Sequence, residues 1–560
     1  MCSPSNIIIM ISMVCFNDTL ENLWKGRVIN MAYEASWSNK DNLNDVEYIK
    51  LKKDGLDVIK TIVDKYSREG YSSITPEDMN RLKWAGVYEQ KPRNGYFMLR
   101  VRINTGIVYV QQVEVLAGIA KDFGRGRANI TTRGAIQFHW IQIEDLPEIF
   151  NRLEACGLSS FEACGDCPRT IVGNPLAGID KDELIDTTNI VQEVNRFFLL
   201  NKDFSNLPRK FKISISSGIN NPAHARINDL AFTPATKVIN GNKICGFHVW
   251  VGGGLSANPM FAQRLDVFVK PDEILKVAVG VCTIFRDYGY REKRNHSRLK
   301  FLMADWGAER FKDKLVELIG HMESSGDDKL IDWNASYFYG VHPQRQENKS
   351  YIGIHVLLGE ITAEELQQLG EIAKEYGDGS LRTTLSQNII ISGINNDKLP
   401  SLLRKDILKR FSPSPETFAG HMIACTGKEY CNLAIVETKQ RAAHIIKYLK
   451  SNVQLDTPVR IHITGCPNSC GQKQIADISL QGALVKTEIG TEEGFTIWVG
   501  GSLKNEGRFA ENLGCRVKST EAHIVIEKIL LFFKMRRQNE ETFYDFVIRV
   551  GLDEVKKVLI

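Results

Sequence analysis

Gly118-Ile119-Ala120-Lys121-Asp122-Phe123-Gly124 and Glu371-Ile372-Ala373-Lys374-Glu375-Tyr376-Gly377 lie over one another without a gap. Each closes a segment whose apolar residues recur at helical spacing. In the second copy Thr362 and Glu365 form a capping box ahead of Leu366, Leu369, Ile372 and Ala373. Working outward, the order strand, helix, Gly-containing turn, strand is predicted at 97–103, 111–123 and 128–140, and again at 351–358, 362–376 and 380–392. A second pair of similar segments covers 247–255, with Val251-Gly252-Gly253-Gly254, and 495–503, with Val499-Gly500-Gly501. The pattern predicts an internal duplication. Each half is a small αβ module followed by a larger one, which accounts for the 560 residues.

Composition narrows the class. The chain is 43% hydrophobic and 25% charged, with a formal charge of +4, which excludes a disordered tail protein and a collagen or coiled-coil rod. So weak a positive balance gives no argument for a nucleic-acid groove. Twelve cysteines are too sparse for a disulfide-stapled secreted domain. The apolar run 7–14 is too short to span a bilayer and has no cationic segment before it, so neither a membrane helix nor a secretory signal is expected. A cytoplasmic protein is expected, with Met31 a candidate alternative start. Thr75, Pro76 and Asp78 predict a helix start after a periodic, charged segment at 45–66, and the basic run Lys534 to Arg537 reads as a solvated helix face.

Two constellations carry chemistry. Cys425 and Cys431 are separated by five residues, and Cys466 and Cys470 follow in Thr-Gly-Cys-Pro-Asn-Ser-Cys-Gly. Four thiolates suit an iron-sulfur cluster or zinc, and the wide first gap fits zinc knuckles poorly. Four unrelated buried thiols and a structural zinc site remain the alternatives at this point. The second constellation rests on strand parity. In 97–103, Arg100 and Arg102 share the face opposite the apolar residues, and in 207–215, Lys210 and Lys212 do the same. Such pairs can converge on one ligand, although each also fits the wet face of a sheet. A mixed Arg/Lys cage suits a small oxyanion or a carboxylate-rich cofactor.

At these residues the chain resembles the siroheme and 4Fe-4S family of assimilatory sulfite and nitrite reductases, over about 51–551. The resemblance implies an α+β fold, a pseudo-twofold duplicated arrangement of ferredoxin-like half-domains plus two larger α/β domains that bind siroheme and cluster. The divisions it implies are an N-terminal extension 1–44, a first half-domain region 45–170, a siroheme and substrate domain 171–345, a second half-domain 346–415 and an iron-sulfur and siroheme domain 416–560. It assigns Cys425, Cys431, Cys466 and Cys470 to the cluster, with Cys470 also the proximal ligand of the siroheme iron. It makes Arg100, Arg169, Lys210 and Lys212 the contacts of a small inorganic anion substrate. Arg102, Thr131, Thr132, Arg133, Gln137 and Asn468 become candidates for holding the siroheme carboxylates, with Arg382 and Gln387 from the duplicated copy.

The resemblance further implies six-electron reduction of sulfite to sulfide or of nitrite to ammonium. Lys210-Phe211-Lys212 and the segment Phe247-His248-Val249-Trp250-Val251 look closest to ferredoxin-dependent sulfite reductases, so sulfite is the expected substrate and nitrite the alternative. No Gly-x-Gly-x-x-Gly fingerprint follows a predicted strand, so ferredoxin or another external protein donor is expected. A monomer without membrane or nucleic-acid partners completes the expectation. Of the other cysteines, Cys164 and Cys167 precede Arg169 and are expected as reduced thiols. By resemblance Cys164 lies near the haem beside Tyr88, and a covalent link between them is one hypothesis. His139 and His421 are expected as packed or hydrogen-bonded histidines rather than iron ligands. A cluster protein without siroheme, or a zinc protein, are the nonenzymatic alternatives.

Overall fold

A computed structural model describes residues 42–218, 220, 223–327, 338–488, 490–504 and 506–559. The apolar run 7–14, Met31 and nearly all of the extension 1–44 lie outside the described residues.

The two small modules are antiparallel sheets that exchange an edge. The first runs, in spatial order, Val87–Glu89, Phe97–Val101, Ile136–Ile141 and Arg127–Ile130, and is completed by Glu360–Thr362 from the second half. The second runs Gly340–Pro343, Lys349–Ile354, Ile389–Asn395 and Ser380–Thr383, and is completed by Ile107–Tyr109 from the first. Each lent strand leads straight into a helix, Val110–Phe123 or Ala363–Tyr376. The two helices pack together so closely that a Cβ on Gly370 would lie 2.9 Å from Val113 Cγ1. One continuous core, from Val58 through Phe138 and Leu366 to Phe411, therefore serves both half-domains. The capping box forms as expected. Thr362 Oγ1 accepts the Glu365 N–H at 3.1 Å, and Glu365 Oε2 accepts the Thr362 N–H at 2.9 Å.

The long strands expected at 128–140 and 380–392 are each broken into a hairpin. The arms are Arg127–Ile130 with Ile136–Ile141, and Ser380–Thr383 with Ile389–Asn395. Gly134 and Gln387 take left-handed φ values of 69° and 66° at equivalent places in the two turns. Thr131 Oγ1 accepts the N–H groups of Arg133 and Ala135, and Thr384 Oγ1 that of Asn388, so the hydroxyls tie the turns. Alternation continues through such a turn in sequence, which is why it reads as one strand.

The larger domains also repeat one topology. The strands Val172–Gly173, Ile213–Ile215 and Leu230–Ile239 pair in parallel, and Asn242–Val251 and Gln263–Val269 add antiparallel partners. In the second half the corresponding strands are Met422–Ala424, Ile461–Thr464, Ile478–Thr487, Gly490–Val499 and Glu511–Lys518. Each sheet buries its own apolar core against helices, among them Ile274–Tyr288 and Leu299–Ile319 in one and Lys439–Asn452 and Ala522–Arg536 in the other. Only Ile213–Ile215 of the expected extended stretch 207–215 is strand. Phe211 makes a lone bridge to Pro168, and Phe211, Ile213 and Ile215 are fully buried as expected. Ser214, expected on the face of Lys210 and Lys212, is fully buried as well, because the strand Ile213–Ile215 is covered on both faces. The architecture is a duplicated α+β fold of two ferredoxin-like half-domains and two larger α/β domains.

Candidate cofactor and anion site

The hairpin turn at Thr131 to Gly134 is where the modules meet. Thr132 Oγ1 donates to the Cys470 carbonyl at 3.1 Å, and Gln472 Nε2 donates back to the Thr132 carbonyl at 3.3 Å. Arg133 reaches the other large domain, donating to Asn228 Oδ1 at 2.7 Å and to the Thr170 carbonyl at 3.0 Å. Thr383 of the second half-domain donates to the Gly134 carbonyl at 2.6 Å. A turn set by one glycine and one threonine thus touches the other three modules.

The expected anion contacts gather beside it. Arg100 Nη1 lies 3.3 Å from Cys164 Sγ and 3.5 Å from the Ala163 carbonyl, while its Nε and Nη2 donate to Gln137 Oε1. Arg169, buried, donates to the same Ala163 carbonyl through Nε and Nη2, at 2.9 and 2.7 Å, and to the Gly165 carbonyl. Lys210 and Lys212 keep partial exposure within the fold. Burial pushes the Lys210 ammonium down to about 7, with Arg209, Arg298 and Arg169 lowering it further and the Cys470 thiolate opposing them. Burial also holds Lys212 well below the usual lysine range, helped by Lys210, Arg133 and Arg298. Among the described residues none of Arg100, Arg169, Lys210 and Lys212 forms an ion pair with a carboxylate.

The four cysteines come from loops whose strands adjoin. Met422–Ala424 and Ile461–Thr464 pair in parallel, so the chain leaves both at the same end, into Cys425 and into Gly465-Cys466. The Cys425 N–H donates to the Ile463 carbonyl, and the Gly465 N–H donates to Cys425 Sγ at 3.2 Å. Burial pushes the Cys425 thiol up to about 12, and Cys470 and Cys431 add to the shift. The Cys466 thiol is raised by burial and by Cys470 and Cys431, against hydrogen bonds from the Asn468 backbone and side chain. The loop of Cys466 therefore meets that of Cys425 at the Cys425 sulfur. Among the described residues no three His, Cys, Asp or Glu side chains converge tightly enough to hold one metal ion. Thiolates on the separate corners of a polynuclear cluster need not converge in that way.

The remaining candidates divide. Gln137 orients Arg100, Thr131 ties its turn, and Asn468 stands exposed beside Cys466. Arg102 is buried and spends its guanidinium on the Glu162, Pro168 and Arg169 carbonyls and on Asn195. Arg382 is similarly committed to the Pro175 and Ala177 carbonyls and Ser392, and Gln387 Nε2 to the Ile130 carbonyl. Gly253 and Gly501 approach protein backbone, since a Cβ would lie 2.4 Å from the Arg226 carbonyl oxygen in one and from that of Gln474 in the other. Cys164 and Cys167 are free thiols, and Cys167 Sγ donates to the Cys164 carbonyl at 3.1 Å. Burial raises the Tyr88 hydroxyl to about 12, and Cys164 adds to the shift while Arg169 and Arg100 oppose it. His139 stacks on Tyr430 at 4.0 Å and meets Gln90 Oε1, and His421 Nδ1 meets the Thr417 carbonyl.

Sequence reasoning missed Asn228, Asp229 and Arg298. Asp229 is fully buried, accepts the Lys212 main-chain N–H through Oδ2, and takes Nε and Nη2 of Arg298, 2.7 Å at the closest. A buried Asp-Arg pair separated by 69 positions has no local signal.

The donor set can be tested against the group that the resemblance implies. Cations without carboxylate partners, beside loops that carry four thiols, suit an anionic, thiolate-ligated occupant. A carboxylate-rich tetrapyrrole next to an iron-sulfur cluster fits that requirement.

A duplicated α+β frame that brings a thiolate loop to a cationic pocket defines an oxidoreductase of the nitrite and sulfite reductase class. The model of the nitrite and sulphite reductase 4Fe-4S domain matches residues 164–322 and 420–560, and that of the nitrite/sulfite reductase ferredoxin-like half domain matches 88–156 and 342–405. The chain belongs to this family. It is 39% identical to a ferredoxin–nitrite reductase of Synechococcus elongatus, covering 88% of this chain and 96% of that one. It is 34% identical to a ferredoxin sulfite reductase of Mycolicibacterium paratuberculosis, covering 95% and 99%. The solved structure of the Mycobacterium tuberculosis NirA protein superposes with a TM-score of 0.86 at 34% identity, covering 94% of this chain and all of that one. The expected leaning toward sulfite reductases is not what these identities favour, since a second nitrite reductase, from Leptolyngbya laminosa, stands at 38%. The chain is an enzyme of ferredoxin-linked nitrite or sulfite reduction. No helix of the described residues is long and apolar enough to cross a membrane.

Proposed function

We propose that this enzyme takes electrons from ferredoxin and reduces nitrite to ammonium at a siroheme coupled to a 4Fe-4S cluster. The observation that carries the reading is that the hairpin turn whose Thr132 holds the Cys470 carbonyl also carries Arg133 to the domain of Lys210 and Lys212, while Arg100 and Arg169 converge on the Ala163 carbonyl. Nitrite stands first because the 39% and 38% relatives bear the name nitrite reductase.

Cys425, Cys431, Cys466 and Cys470 would hold the cluster, with Cys470 shared with the siroheme iron. Thr131, Thr132, Arg133, Gln137 and Asn468 would meet the siroheme edge, while Arg102, Arg382 and Gln387 would brace the backbone around it. When bound, the two groups supply one-electron transfer and a metal position for the substrate. The chain supplies the rest. Arg100 and Arg169, fixed through the Ala163 carbonyl, draw in an anion and stabilise charge on its oxygens. Lys210, whose ammonium burial and the neighbouring Arg209, Arg298 and Arg169 hold below the usual lysine range, is the residue best placed to hold or release a proton at Nζ. Ferredoxin would dock near the cluster by complementary charge, with the chain a cytoplasmic monomer. A covalent link between Tyr88 and Cys164 stays a hypothesis of the resemblance, and peptide mass spectrometry showing both residues unmodified would remove it.

A second reading, sulfite to sulfide, is favoured by Lys210-Phe211-Lys212, because the resemblance implies Lys-x-Lys commonly in sulfite reductases where many nitrite reductases carry Lys-x-Asn. The deciding measurement is kcat/KM for each anion with reduced ferredoxin. A higher value for nitrite supports the first reading, and a clear sulfite preference replaces it with the second. Lys212→Asn should move the ratio toward nitrite in either case. An optical spectrum tests the cofactor reading, since a tetrapyrrole gives a Soret band that a zinc protein or a cluster alone lacks.

A further inference from the structure

Asp229 and Asp477 occupy equivalent places in the two larger domains. Each precedes the long strand of its sheet, and the carbonyl of each accepts a glycine N–H at 2.9 Å, from Gly252 and Gly500. Each Oδ2 accepts a main-chain N–H from the residue just before the neighbouring strand, from Lys212 at 3.0 Å and from Arg460 at 2.8 Å. Lys212 and Arg460 are therefore counterparts.

Their side chains part. Arg460 turns back onto its own aspartate, with Nε 3.0 Å from Oδ2 and Nη2 2.7 Å from Oδ1, and Nη2 also donates to the Gly501 carbonyl. Lys212 does not turn back. The guanidinium on Asp229 comes instead from Arg298, just before the helix Leu299–Ile319. Its Nε and Nη2 lie 2.9 and 2.7 Å from Oδ1, and Nη2 also lies 2.7 Å from Oδ2 and 3.3 Å from the carbonyl of Gly253, the counterpart of Gly501. Both halves thus satisfy one buried carboxylate with one guanidinium. In the first half it is imported.

We propose that Arg298 is a positioning residue for the anion site: by occupying Asp229 it keeps the Lys212 ammonium from folding back onto that carboxylate and leaves it directed to the substrate anion. A fully buried carboxylate without a partner is costly and takes the nearest cation. Lys212 is next to it through its own main chain and carries a flexible stem, whereas the planar fork of Arg298 is fixed by two-oxygen bonding. The inference rests on the reading that Lys212 meets the anion, and its test separates the two.

The holoenzyme is compared with Arg298→Met, Asp229→Asn, the Arg298→Met/Asp229→Asn double variant and Lys212→Met. Nitrite and sulfite titrations followed in the visible spectrum give Kd, steady-state assays give KM and kcat, and a crystal structure locates Lys212. Arg298→Met is expected to raise Kd and KM roughly tenfold with a smaller effect on kcat, and to bring Lys212 Nζ within hydrogen-bond reach of Asp229. The double variant, which holds no lone buried charge, is expected to return Kd to within about threefold of the parent. That result also serves if Arg298→Met alone does not fold. A double variant as weak as Lys212→Met overturns the proposal, because Arg298 would then act on the anion directly or only as structure. Lys212→Met with unchanged Kd instead overturns the underlying reading of the site.

Discussion

Arg100 and Gln137 face each other across adjacent antiparallel strands, and Gln137 Oε1 accepts both Nε and Nη2 of Arg100, at 3.0 and 2.7 Å. The amide therefore aims the third guanidinium nitrogen at Cys164 and the Ala163 carbonyl. Gln137→Ala is expected to lower kcat/KM about tenfold while costing only about 1 kcal/mol of stability, the scale of one hydrogen bond. Steady-state assays and denaturant melts check it. Unchanged kinetics would show that Arg100 needs no orientation.

The cluster assignment is open to direct chemistry. Cys431→Ala removes one of four proposed thiolates, so iron and acid-labile sulfide should fall together and the reduced protein should lose its cluster electron-paramagnetic signal. Retention of full iron and sulfide would remove Cys431 from the ligand set.

Glu162 provides a pH test away from the cluster. Burial raises its carboxyl from 4.5 to about 7, against Arg102 and the Leu200 N–H. The folded state then holds the proton more tightly than the unfolded one. Its contribution is fully present below about 4.5 and is lost as pH rises through about 7, a change on the order of 3 kcal/mol at most. Glu162→Gln stays neutral, so it should lose less stability than the parent between pH 5 and pH 8. Denaturant midpoints at the two pH values measure the difference, and parallel behaviour would refute it.

Gly501 tests the close backbone approach of the second half. A Cβ there would meet the Gln474 and Ala476 carbonyl oxygens at 2.4 and 2.8 Å. Gly501→Ala should cost about 1–3 kcal/mol, read as a lower Tm, because carbonyls held in a packed loop cannot retreat freely. A Tm equal to the parent's would mean that the loop yields.

Much of this molecule was legible one segment at a time. The helices ending at Phe123 and Tyr376, the Thr362 cap, the cysteine spacing and the parity of Lys210 and Lys212 all depend on residues a few positions apart, where backbone geometry repeats. The turns at Gly134 and Gln387 were not, because a left-handed residue inside an alternating run leaves the alternation intact.

The sequence by itself determined the duplication, the four thiols and the excess of positive charge at Arg100, Arg169, Lys210 and Lys212. Only the tertiary structure decided which half-domain lends Ile107–Tyr109 and which Glu360–Thr362, and that Arg298 rather than Lys212 neutralises Asp229. Edge pairing and buried charge are settled by what surrounds them in space, and residues 69 positions apart carry no local record of which partner a buried carboxylate will find.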